Sequence, residues 1–571
     1  MTFSRARSRT LPLLLLASAA LVAVPWAMPA DAQSALIEYE VLSTDTEEPI
    51  AITVADDGRV IWTEREGAVK ILTTDGEQIL AGRVPVSGNL CTTCVPDDSP
   101  KLEEGGLYGI LLAKDFNTTG RLYLYYAVPG SRDEATQLGL WRLSIFVLDH
   151  ATNQLDLDSE EPILEVPVHW DHCCHYGGDL DYLPDGTILL PVGDDIPASS
   201  SEGYGPRDNT ETWLDGELYV QNPADMRGKI LRLMPDGSVP DGSQPGIEPN
   251  PFVGQSGFHP YVEANPADDP LRPWIRSETG SMIPYNPYIY AIGFKQPFKG
   301  SVNPYTGHGY YGDVGPDATQ DDPERGPRGH DERNVIPPGG GTNYGWPRCV
   351  ADNQPYIDVD WTTMEVGEPL DCSEMTPASF YYPKDVSFAF PTVTVGGVTG
   401  LPAAFYRADT EGALRLPALF NDTVIDLEFM RSWFATFNVG DDGSLDPASF
   451  TRWELSMFYN SSPITGPIDA AVGPDGAVYV AEYGVGFYSP VGSRIGRVKC
   501  LGCTPDPADY QVDGQPQPEP TTPPQPEPTA APGTGGDEGT LPETGGGPWV
   551  LLAVLLAAGG LTGLRLRRSI V

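Results

Sequence analysis

The stretch DYLPDGTILLPVGDD (residues 181–195) contains the pattern that predicts the fold of this 571-residue chain. Pro184-Asp185-Gly186 is a turn signal, and the β-branched and aliphatic run 187–192 follows it directly. The stretch therefore predicts a β-hairpin whose second strand ends in Gly-Asp-Asp.

The same pattern of aliphatic residues, an Asp/Asn-Gly turn and a short β-type run recurs along the chain. The copies are VADDGRVIWTE (54–64), AKDFNTTGRLYLYYA (113–127), the hairpin at 181–195, VNPYTGHGYYGDVG (302–315), the weaker LFNDTVIDLEF (419–429) and VGPDGAVYVAEYG (472–484). Further strand-like pieces lie between them, namely GAVKIL (67–72), GKILRLMPDG (228–237) and RIGRVK (494–499). Amphipathic helical patterns are scarce, which indicates an all-β chain.

Six such units with variable insertions predict an all-β fold, a six-bladed β-propeller over residues 33–503. A single blade cannot bury both of its faces, so the units must close into a ring, which also removes free sheet edges. We expect closure to pair a strand near residues 37–41 with the final blade near 494–499. A pair of β-sandwiches is the alternative fold, and it fits the repeat spacing less well.

The hairpin at 181–195 is preceded by HWDHCCHYGG (169–178), in which His175 is a candidate general base. The unperturbed pKa of histidine lies near neutrality, which suits proton transfer. Gly177 and Gly178 allow a close backbone approach or a positive φ. For a histidine taken alone, a hydrogen bond within the loop is the simpler interpretation.

Two other interpretations of this stretch stay open. His169, His172 and His175 form H-x2-H-x2-H with Cys173 and Cys174 between them, a spacing compatible with a transition-metal site. Adjacent cysteines could instead form a vicinal disulfide that stiffens the loop. Among the nearby aromatic residues, Trp170, Tyr176 and the more distant Trp346 are candidates either for stacking on a sugar ring or for packing.

The first 32 residues predict a signal peptide. Arg5, Arg7 and Arg9 form a basic start, residues 11–24 form an apolar middle, and Ala30-Asp31-Ala32 forms a small-x-small cleavage site. We therefore expect an exported protein.

Eight cysteines in an exported chain favour disulfides over free thiols. Local pairing is the simplest hypothesis, although eight cysteines allow about 105 connectivities. The two CxxC motifs are also compatible with a zinc site, but they lie at opposite ends of the chain. The expected pairs are Cys91/Cys94, Cys173/Cys174, Cys349/Cys372 and Cys500/Cys503.

The net charge is −44, from 35 basic and 79 acidic residues. This balance argues against a nucleic-acid partner, because phosphate binding needs a basic face. It favours solubility and affinity for hard cations such as Ca²⁺. Most of these carboxylates are expected simply to solvate the surface.

The chain after Cys503 changes in composition. Residues 504–540 are rich in Pro, Thr, Gln, Glu and Gly and predict a disordered spacer. The apolar run 548–564 is 17 residues long, near the lower limit for a transmembrane helix, and a basic tail follows it.

An LPETG motif stands just before this apolar run, and the order of features in residues 541–571 is that of a cell-wall sorting signal. A sortase would cut between Thr and Gly, leaving the propeller on the wall. A plain C-terminal membrane anchor with a chance LPETG is the alternative, and both place the propeller outside the cell. The motif residues are Leu541, Pro542, Glu543, Thr544 and Gly545.

Several stretches between about residue 45 and about residue 500 together resemble the glucose/sorbosone dehydrogenase family, the soluble quinoprotein sugar dehydrogenases. They are EEPIAITVADDGRVIWTEREGAVKIL, GGLYGILLAKDFNTTGRLYLYYA, CCHYGGDLDYLPDGTILLPVGDD, RGKILRLMPDGSVP, IYAIGFKQPFKGSVNPYTGHGYYGDVGPDA, RGPRGHDERNVIPPGGGTNYGWP, PALFNDTVIDLEFMRSW and PIDAAVGPDGAVYVAEYG. Their order along the chain supports the fold more strongly than it supports the activity.

The resemblance implies a six-bladed propeller that binds pyrroloquinoline quinone (PQQ) over a Ca²⁺ and oxidises the anomeric C1–OH of an aldose to a lactone, with an external electron acceptor. By position, His175 would be the base. Gly315 and Pro316 would offer backbone carbonyls to Ca²⁺, with Gly326-Pro327 as a competing pair. Asp331 would be a further metal ligand or an orienting carboxylate.

The resemblance also locates the cofactor's cationic partners, because PQQ is a tricarboxylate. Lys295-Gln296-Pro297 stands where the family has Arg-Asn-Pro. A lysine cannot reproduce the bidentate guanidinium fork, so this departure bears on cofactor binding. Arg407 and Arg431 are the other candidate carboxylate partners, with a surface cation or an inter-blade salt bridge as the alternative for each.

Two other function classes compete with the dehydrogenase. One is a non-catalytic surface propeller that binds glycans or proteins, favoured by the Lys-Gln departure, the anchor and the long insertions. The other is a propeller hydrolase that uses carboxylates such as Asp179 and Asp194 with a metal.

Overall fold

The computed structural model describes residues 36–87, 104–131, 138–169, 174–197, 200–205, 210, 214–257, 283–384, 399–407, 412–453, 463–485, 491–501 and 503. Contacts divide the chain into Met1–Asp513 and Gly514–Val571, and every described residue belongs to the first unit. The predicted signal peptide, spacer and sorting signal (541–571, with its apolar run 548–564) lie outside the described residues. No helix within the described ranges is long and apolar enough to cross a bilayer.

The described strands form six four-stranded antiparallel sheets, the blades of a β-propeller. The first strand of the chain, β1 (Leu36–Ser43), belongs to the last blade. Blade 1 contains β2 (Pro49–Val54), β3 (Val60–Glu64), β4 (Ala68–Leu72) and β5 (Gln78–Arg83). Blade 2 contains β6 (Leu107–Leu112), β7 (Arg121–Ala127), β8 (Leu138–Asp149) and β9 (Gln154–His169).

The remaining blades follow in chain order, with short hairpins inserted between their strands. Blade 3 contains β10 (Asp181–Tyr182), β11 (Ile188–Val192), β12 (Lys229–Leu233) and β15 (Ile289–Ile292), with β13 (Ser256–Gly257) paired to β14 (Ile283–Pro284) beside it. Blade 4 contains β16 (Pro297–Val302), β17 (Gly309–Asp313), β18 (His330–Ile336) and β23 (Phe380–Pro383). The hairpins β19 (Cys349–Val350) with β20 (Gln354–Pro355), and β21 (Ile357–Asp360) with β22 (Glu365–Pro369), interrupt blade 4.

Blades 5 and 6 complete the ring. Blade 5 contains β24 (Gly400–Tyr406), β25 (Thr423–Glu428), β26 (Trp433–Asn438) and β27 (Thr451–Trp453). Blade 6 contains β28 (Pro467–Val472), β29 (Val478–Glu482), β30 (Arg494–Leu501) and β1. Helical structure in the described ranges is limited to α1 (Phe116–Thr119), α2 (Gly216–Tyr219) and short 3₁₀ turns at Ser200–Gly203, Ala418–Phe420 and Pro447–Ser449.

The ring closes through an antiparallel pairing of the two ends of the propeller. β1 pairs with β30 in a register that runs from Leu36 opposite Leu501 to Val41 opposite Gly496. The first strands of blades also lie side by side, β2 against β6, β10 against β16, β16 against β24, β24 against β28, and β28 against β2. These findings confirm the six-bladed propeller and its predicted closure, and the alternative pair of β-sandwiches is wrong.

The six copies of the repeated pattern all occupy the same place in a blade, the connection from its first strand to its second and the second strand itself. At 113–127 this connection is the short helix α1, with Gly120 at φ 71°, instead of a two-residue turn. Because the strands of a blade alternate in direction, these connections all point to one end of the ring, which we call the turn end. The connections from second to third strand, and from one blade to the next, lie at the opposite end, which we call the site end.

Buried and half-buried carboxylates join neighbouring blades through backbone N–H groups. Asp179 and Asp181 accept from Gly300 and Val302 at 2.9 and 2.7 Å, which ties the start of blade 3 to β16. Asp469 accepts from the Ile52 N–H at 2.9 Å and so ties blade 6 to blade 1. These bonds hold the relative positions of the blades and therefore of the connections they carry.

Two predicted disulfides are confirmed. Cys349 bonds to Cys372 and Cys500 bonds to Cys503. Cys174 is also disulfide-bonded. The predicted positions Cys91, Cys94 and Cys173 lie outside the described residues.

Candidate functional site

The site end of the ring collects most of the residues expected to act together. His175 lies in the connection from β9 to β10, and Lys295 and Gln296 lie in the connection from β15 to β16. Gly315 and Pro316 follow β17, and Arg431 lies between β25 and β26. Residues separated by more than two hundred positions thus meet because every one of these connections leaves its blade at the same end.

The backbone of His175 is held in an unusual conformation. Its φ is 71°, a left-handed value that is uncommon for a non-glycine residue. Gly177 has a φ of 66°, and a Cβ there would lie 2.3 Å from the Pro191 carbonyl oxygen. A glycine is therefore required both by the positive φ and by the close approach of the Pro191 backbone. Glu104 accepts the His175 N–H at 2.9 Å. The loop is therefore shaped by contacts on both sides, as expected where backbone strain is retained at a functional position.

The imidazole of His175 is oriented by Asp194. His175 Nδ1 lies 2.7 Å from Asp194 Oδ1, and the imidazole is almost fully buried. Asp194 also accepts from the Ile196 N–H at 3.1 Å and from Trp346 Nε1 at 2.8 Å, and it is completely buried. A carboxylate can only accept, so Nδ1 carries the proton and Nε2 is left as the accepting nitrogen.

Nε2 of His175 faces Lys295. Lys295 Nζ lies 2.9 Å from it, and the lysine is 3% exposed. Burial and the neighbouring Lys384 lower the pKa of Lys295, while Asp194 and Asp317 act in the opposite direction. The candidate base therefore has an oriented carboxylate on one nitrogen and an ammonium on the other.

The chain around Lys295 is fixed by Asp313 at the end of β17. Asp313 Oδ2 accepts the Lys295 N–H at 2.9 Å, and Oδ1 accepts the Gln296 N–H at 2.6 Å. Gln296 Oε1 in turn accepts the Gly177 N–H at 3.1 Å. Gln296 thus uses its side chain to join the His175 loop to blade 4.

Two further cations lie nearby: Lys384 is close enough to act on the pKa of Lys295, and Arg431 contacts the main chain of Lys384. Lys384 Nζ pairs with Asp317 Oδ1 at 2.7 Å, and Arg431 Nη2 donates to the Lys384 carbonyl at 3.3 Å. Burial alone would raise the pKa of Asp317, but Lys384, Lys295 and His175 hold it below its ordinary value. Arg431 is buried against the rings of Tyr382 and Trp433. The site end therefore carries three buried cations, of which Lys295 contacts the imidazole directly, and this donor set suits an anion with several carboxylates.

The segment predicted to meet the metal is tightly packed. Asp331 is fully buried; Oδ1 accepts the Gly315 N–H at 3.0 Å and Oδ2 accepts the Gly400 N–H at 2.8 Å. Both oxygens therefore hold backbone, which favours the orienting role for Asp331 over that of a metal ligand. A Cβ at Gly329 would lie 1.7 Å from the Pro316 carbonyl oxygen, so the 315–316 segment needs a glycine there.

Arg407 is separated from this group. It follows β24 at the turn end, since Tyr406 pairs with Thr423 while Gly400 pairs with Glu428 at the other end of the same strands. Its guanidinium pairs with Asp422 at 3.3 Å and lies 3.9 Å from the centre of the Tyr305 ring. This position corresponds to the alternative interpretation of Arg407 as a surface cation.

The structure also bears on the alternative interpretations of the aromatic residues and of the histidine-cysteine stretch. Tyr176 is fully buried and stacks on Trp141 with ring centres 5.0 Å apart, so it packs in the core. His175 Nδ1 is bonded to Asp194, and no group of three or more His, Cys, Asp or Glu side chains within the described ranges could hold a metal ion. Trp170, His172 and Cys173 lie outside those ranges.

The hydrolase hypothesis requires two carboxylates that are free to act. Asp179 Oδ1 lies 3.3 Å from Lys299 Nζ, and its Oδ2 accepts the Gly300 N–H. Asp194 has hydrogen bonds on both oxygens. Neither carboxylate is positioned to attack or activate water, so this hypothesis has no geometric support.

Sequence reasoning missed three residues of this site. Asp194 was considered only as a hydrolytic carboxylate, although its place in the Gly-Asp-Asp end of a strand was a usable signal. Lys384 and Asp317 stand alone in insertions and carry no local signal, because only the meeting of blades 4 and 5 with blade 3 brings them to Lys295.

Comparison with known proteins supports the fold and shows which proteins the chain resembles. Residues 46–264 match the family model of glucose / sorbosone dehydrogenase. The chain is 26% identical over 338 residues to an aldose sugar dehydrogenase of Escherichia coli (strain K12), covering 59% of this chain and 66% of that protein. It is 24% identical over 232 residues to the Hedgehog-interacting protein of Mus musculus, covering 39% of this chain and 30% of that protein.

The chain covers less than two thirds of the length of either curated relative. Among solved structures, an oxidoreductase of Thermus thermophilus described as a glucose dehydrogenase superimposes with a TM-score of 0.51 at 21% identity, covering 81% of this chain and 99% of that one. The described residues thus form a six-bladed propeller, and residues 46–264 of the chain match the glucose / sorbosone dehydrogenase family model.

Proposed function

We propose that this protein is a cell-surface quinoprotein dehydrogenase that oxidises an aldose at its anomeric C1–OH with PQQ and Ca²⁺. The observation that carries the proposal is the oriented imidazole of His175, held by Asp194 and facing buried cations at the site end. The family match over residues 46–264 and the similarity to an aldose sugar dehydrogenase support this class of substrate.

The residues present fit a polycarboxylate cofactor. Lys295 and Lys384 are buried close enough together for Lys384 to lower the pKa of Lys295, so an anion between them would relieve their repulsion. Lys384 and Arg431 would pair with its carboxylates, and the main-chain carbonyls of Gly315 and Pro316 would face Ca²⁺, a hard cation that prefers oxygen. When bound, PQQ supplies the two-electron acceptor for the hydride that leaves C1.

His175 performs the proton transfer. Its Nε2 takes the proton of the sugar C1–OH as the C1–H bond breaks, and the sugar becomes a lactone. Asp194 keeps the proton on Nδ1 and stabilises the imidazolium that forms. The buried setting of the imidazole keeps water away from this step, and the electrons then leave to an external acceptor.

Purified protein mixed with Ca²⁺ and PQQ tests the proposal directly. We expect a change in the PQQ absorbance on titration, and reduction of an artificial dye when an aldose is added. His175→Ala should abolish turnover while the unfolding curve stays as in the parent protein. A broad sugar panel without turnover, together with an unchanged PQQ spectrum, would contradict the proposal.

The surface location belongs to the same proposal. It is supported by the signal-peptide pattern of residues 1–32 and by the LPETG motif before the apolar run 548–564. A sortase would join Thr544 to the wall, and a membrane anchor would leave the C-terminus intact. Mass spectrometry of the C-terminal peptide from the cell envelope distinguishes these two forms.

A second candidate function is a non-catalytic propeller that displays a binding face for glycans or proteins. It is favoured by Lys295, which occupies the accepting nitrogen of His175, and by the partial similarity to the Hedgehog-interacting protein. Wall polysaccharide binding that survives the double substitution Lys295→Ala/Arg431→Ala, in a protein without dye reduction, would support it over the enzyme.

A further inference from the structure

The contact between Lys295 and His175 has a consequence for the order of events at the site. With Nδ1 of His175 committed to Asp194 at 2.7 Å, the lone pair of the imidazole is on Nε2. Lys295 Nζ lies 2.9 Å from that atom, so an ammonium there donates directly to the lone pair. The nitrogen that should receive a substrate proton is already occupied.

Lys295 is held in place by its backbone, and its ammonium has no carboxylate at hydrogen-bond distance among the described residues. Its N–H donates to Asp313, which fixes where the side chain begins. The neighbouring ammonium of Lys384 already has Asp317 at 2.7 Å. Of these two buried ammonium groups, only that of Lys384 is directly paired with a carboxylate. Lys295 would break no such ion pair on moving toward an added anion, so the movement costs less free energy.

We propose that Lys295 is a latch on His175: it occupies Nε2 in the unloaded protein, and an anion bound beside Lys384 draws its ammonium away and frees the base. This inference rests on the proposed function, in which His175 takes the substrate proton and the anion is a polycarboxylate cofactor. Lys295 is then a positioning residue that makes the accessibility of His175 Nε2 depend on cofactor loading.

Nitrogen-15 NMR of the histidine side chains tests the latch without measuring activity. The chain contains seven histidines, so a spectrum of protein labelled only at histidine is simple, and His175→Gln identifies the signal. In unloaded protein we expect the His175 Nε2 resonance upfield of its position in Lys295→Met, because donation from the ammonium shields an accepting nitrogen. Lys295→Arg keeps a donor and should keep the upfield position.

Addition of PQQ with Ca²⁺ should move the parent resonance downfield, toward its position in unloaded Lys295→Met, and should change the Lys295→Met resonance much less. Coincident resonances in unloaded parent and Lys295→Met would overturn the latch, as would a parent resonance that stays in place while absorbance shows that PQQ has bound. Absence of any absorbance change on PQQ addition would instead contradict the proposed function itself. Parent protein alone supplies the loading result if Lys295→Met does not fold.

Discussion

At the residue scale, the pairing of His175 with Asp194 decides which imidazole nitrogen can act. A buried carboxylate that accepts from Nδ1 fixes the tautomer and stabilises the charged ring during proton transfer. A second carboxylate, that of Glu104, accepts the His175 N–H and so holds the backbone of the loop. The position and orientation of this imidazole therefore depend on two acidic residues, Glu104 and Asp194.

Asp194→Asn tests the orienting carboxylate. An amide is neutral and can donate from one position, so it neither fixes the tautomer nor stabilises the imidazolium. We expect kcat to fall roughly 10²–10⁴-fold with little change in PQQ binding. Trp346→Phe removes one neutral donor from the same carboxylate and should lower kcat far less; equal losses would indicate a general disturbance of the loop.

Lys384→Met tests the proposed cofactor contact. Loss of a buried charge-assisted hydrogen bond costs about 1.5–3 kcal/mol, which corresponds to a PQQ dissociation constant raised about 10- to 100-fold. Absorbance titration measures this directly. Arg407→Met is the matched control, since it removes a cation at the turn end, and it should leave PQQ binding unchanged. Equal weakening by both substitutions would mean that long-range charge, and not contact, holds the cofactor.

At the scale of the element, the 315–316 segment depends on a glycine at the other end of the same connection, the one from β17 to β18. A Cβ at position 329 would lie 1.7 Å from the Pro316 carbonyl oxygen, a contact that backbone must move to relieve. The Pro316 carbonyl is one of the two proposed to face Ca²⁺. The same oxygen atom is therefore involved both in packing against Gly329 and in the proposed metal site.

Gly329→Ala should therefore lower the melting temperature of the metal-free protein and, in addition, reduce the increase in melting temperature that Ca²⁺ produces. Differential scanning calorimetry with and without Ca²⁺ separates the two effects. Gly339→Ala is a suitable control because a Cβ there meets nothing within 4 Å and only its φ of 94° is strained. A Ca²⁺ response in Gly329→Ala equal to that of the parent would place the metal elsewhere.

At the scale of the whole molecule, closure of the ring by β1 holds the last blade. β1 contributes a complete row of pairings to β30, and Tyr39 is buried with its hydroxyl donating to Glu482. Deletion of residues 33–43 would leave β30 as an exposed edge. We expect the shortened protein to lose cooperative unfolding, which calorimetry measures. We also expect it to aggregate at micromolar concentration, which light scattering measures.

Deletion of residues 504–540 is the contrast, since these are predicted to form a spacer outside the ring. The melting temperature should then match that of the parent. A lowered melting temperature in this second deletion would mean that the segment packs on the propeller.

Stability should also depend on pH across the whole molecule. Burial raises the pKa of Asp181 to about 7, of Glu332 to about 7 and of Glu428 to about 8. These folded-state values lie above those of the unfolded chain, so the folded state binds more protons between about pH 4 and pH 8. The stabilisation that these protonated carboxyl groups contribute is fully present below their pKa values in the unfolded chain. It is lost as pH rises through their pKa values in the folded protein.

The free energy of unfolding should therefore decline from about pH 5 to about pH 8, and the net charge of −44 acts in the same direction through self-repulsion. Denaturant unfolding at several pH values measures the slope. Asp181→Asn keeps an oxygen to accept the Val302 N–H and should flatten the decline. A stability that stays flat or rises over this range would contradict the raised pKa values of these carboxyl groups.

The amino-acid sequence by itself determined the blades, their closing strands and the place of His175 beside a hairpin. The blades and the place of His175 depend on residues within about fifteen positions of one another, through turn propensity and the alternation of apolar side chains. The closing strands followed from the requirement that the blades form a ring. The pairing of Cys349 with Cys372 and of Cys500 with Cys503 also followed from local spacing.

Only the tertiary structure decided which side chains meet at the site end. Lys295 on Nε2 of His175, Lys384 beside it and Arg407 at the far end follow from which end of a strand each residue leaves. Sequence separation carries no such information, because ring closure and strand direction, not proximity along the chain, bring residues 175, 295 and 384 together.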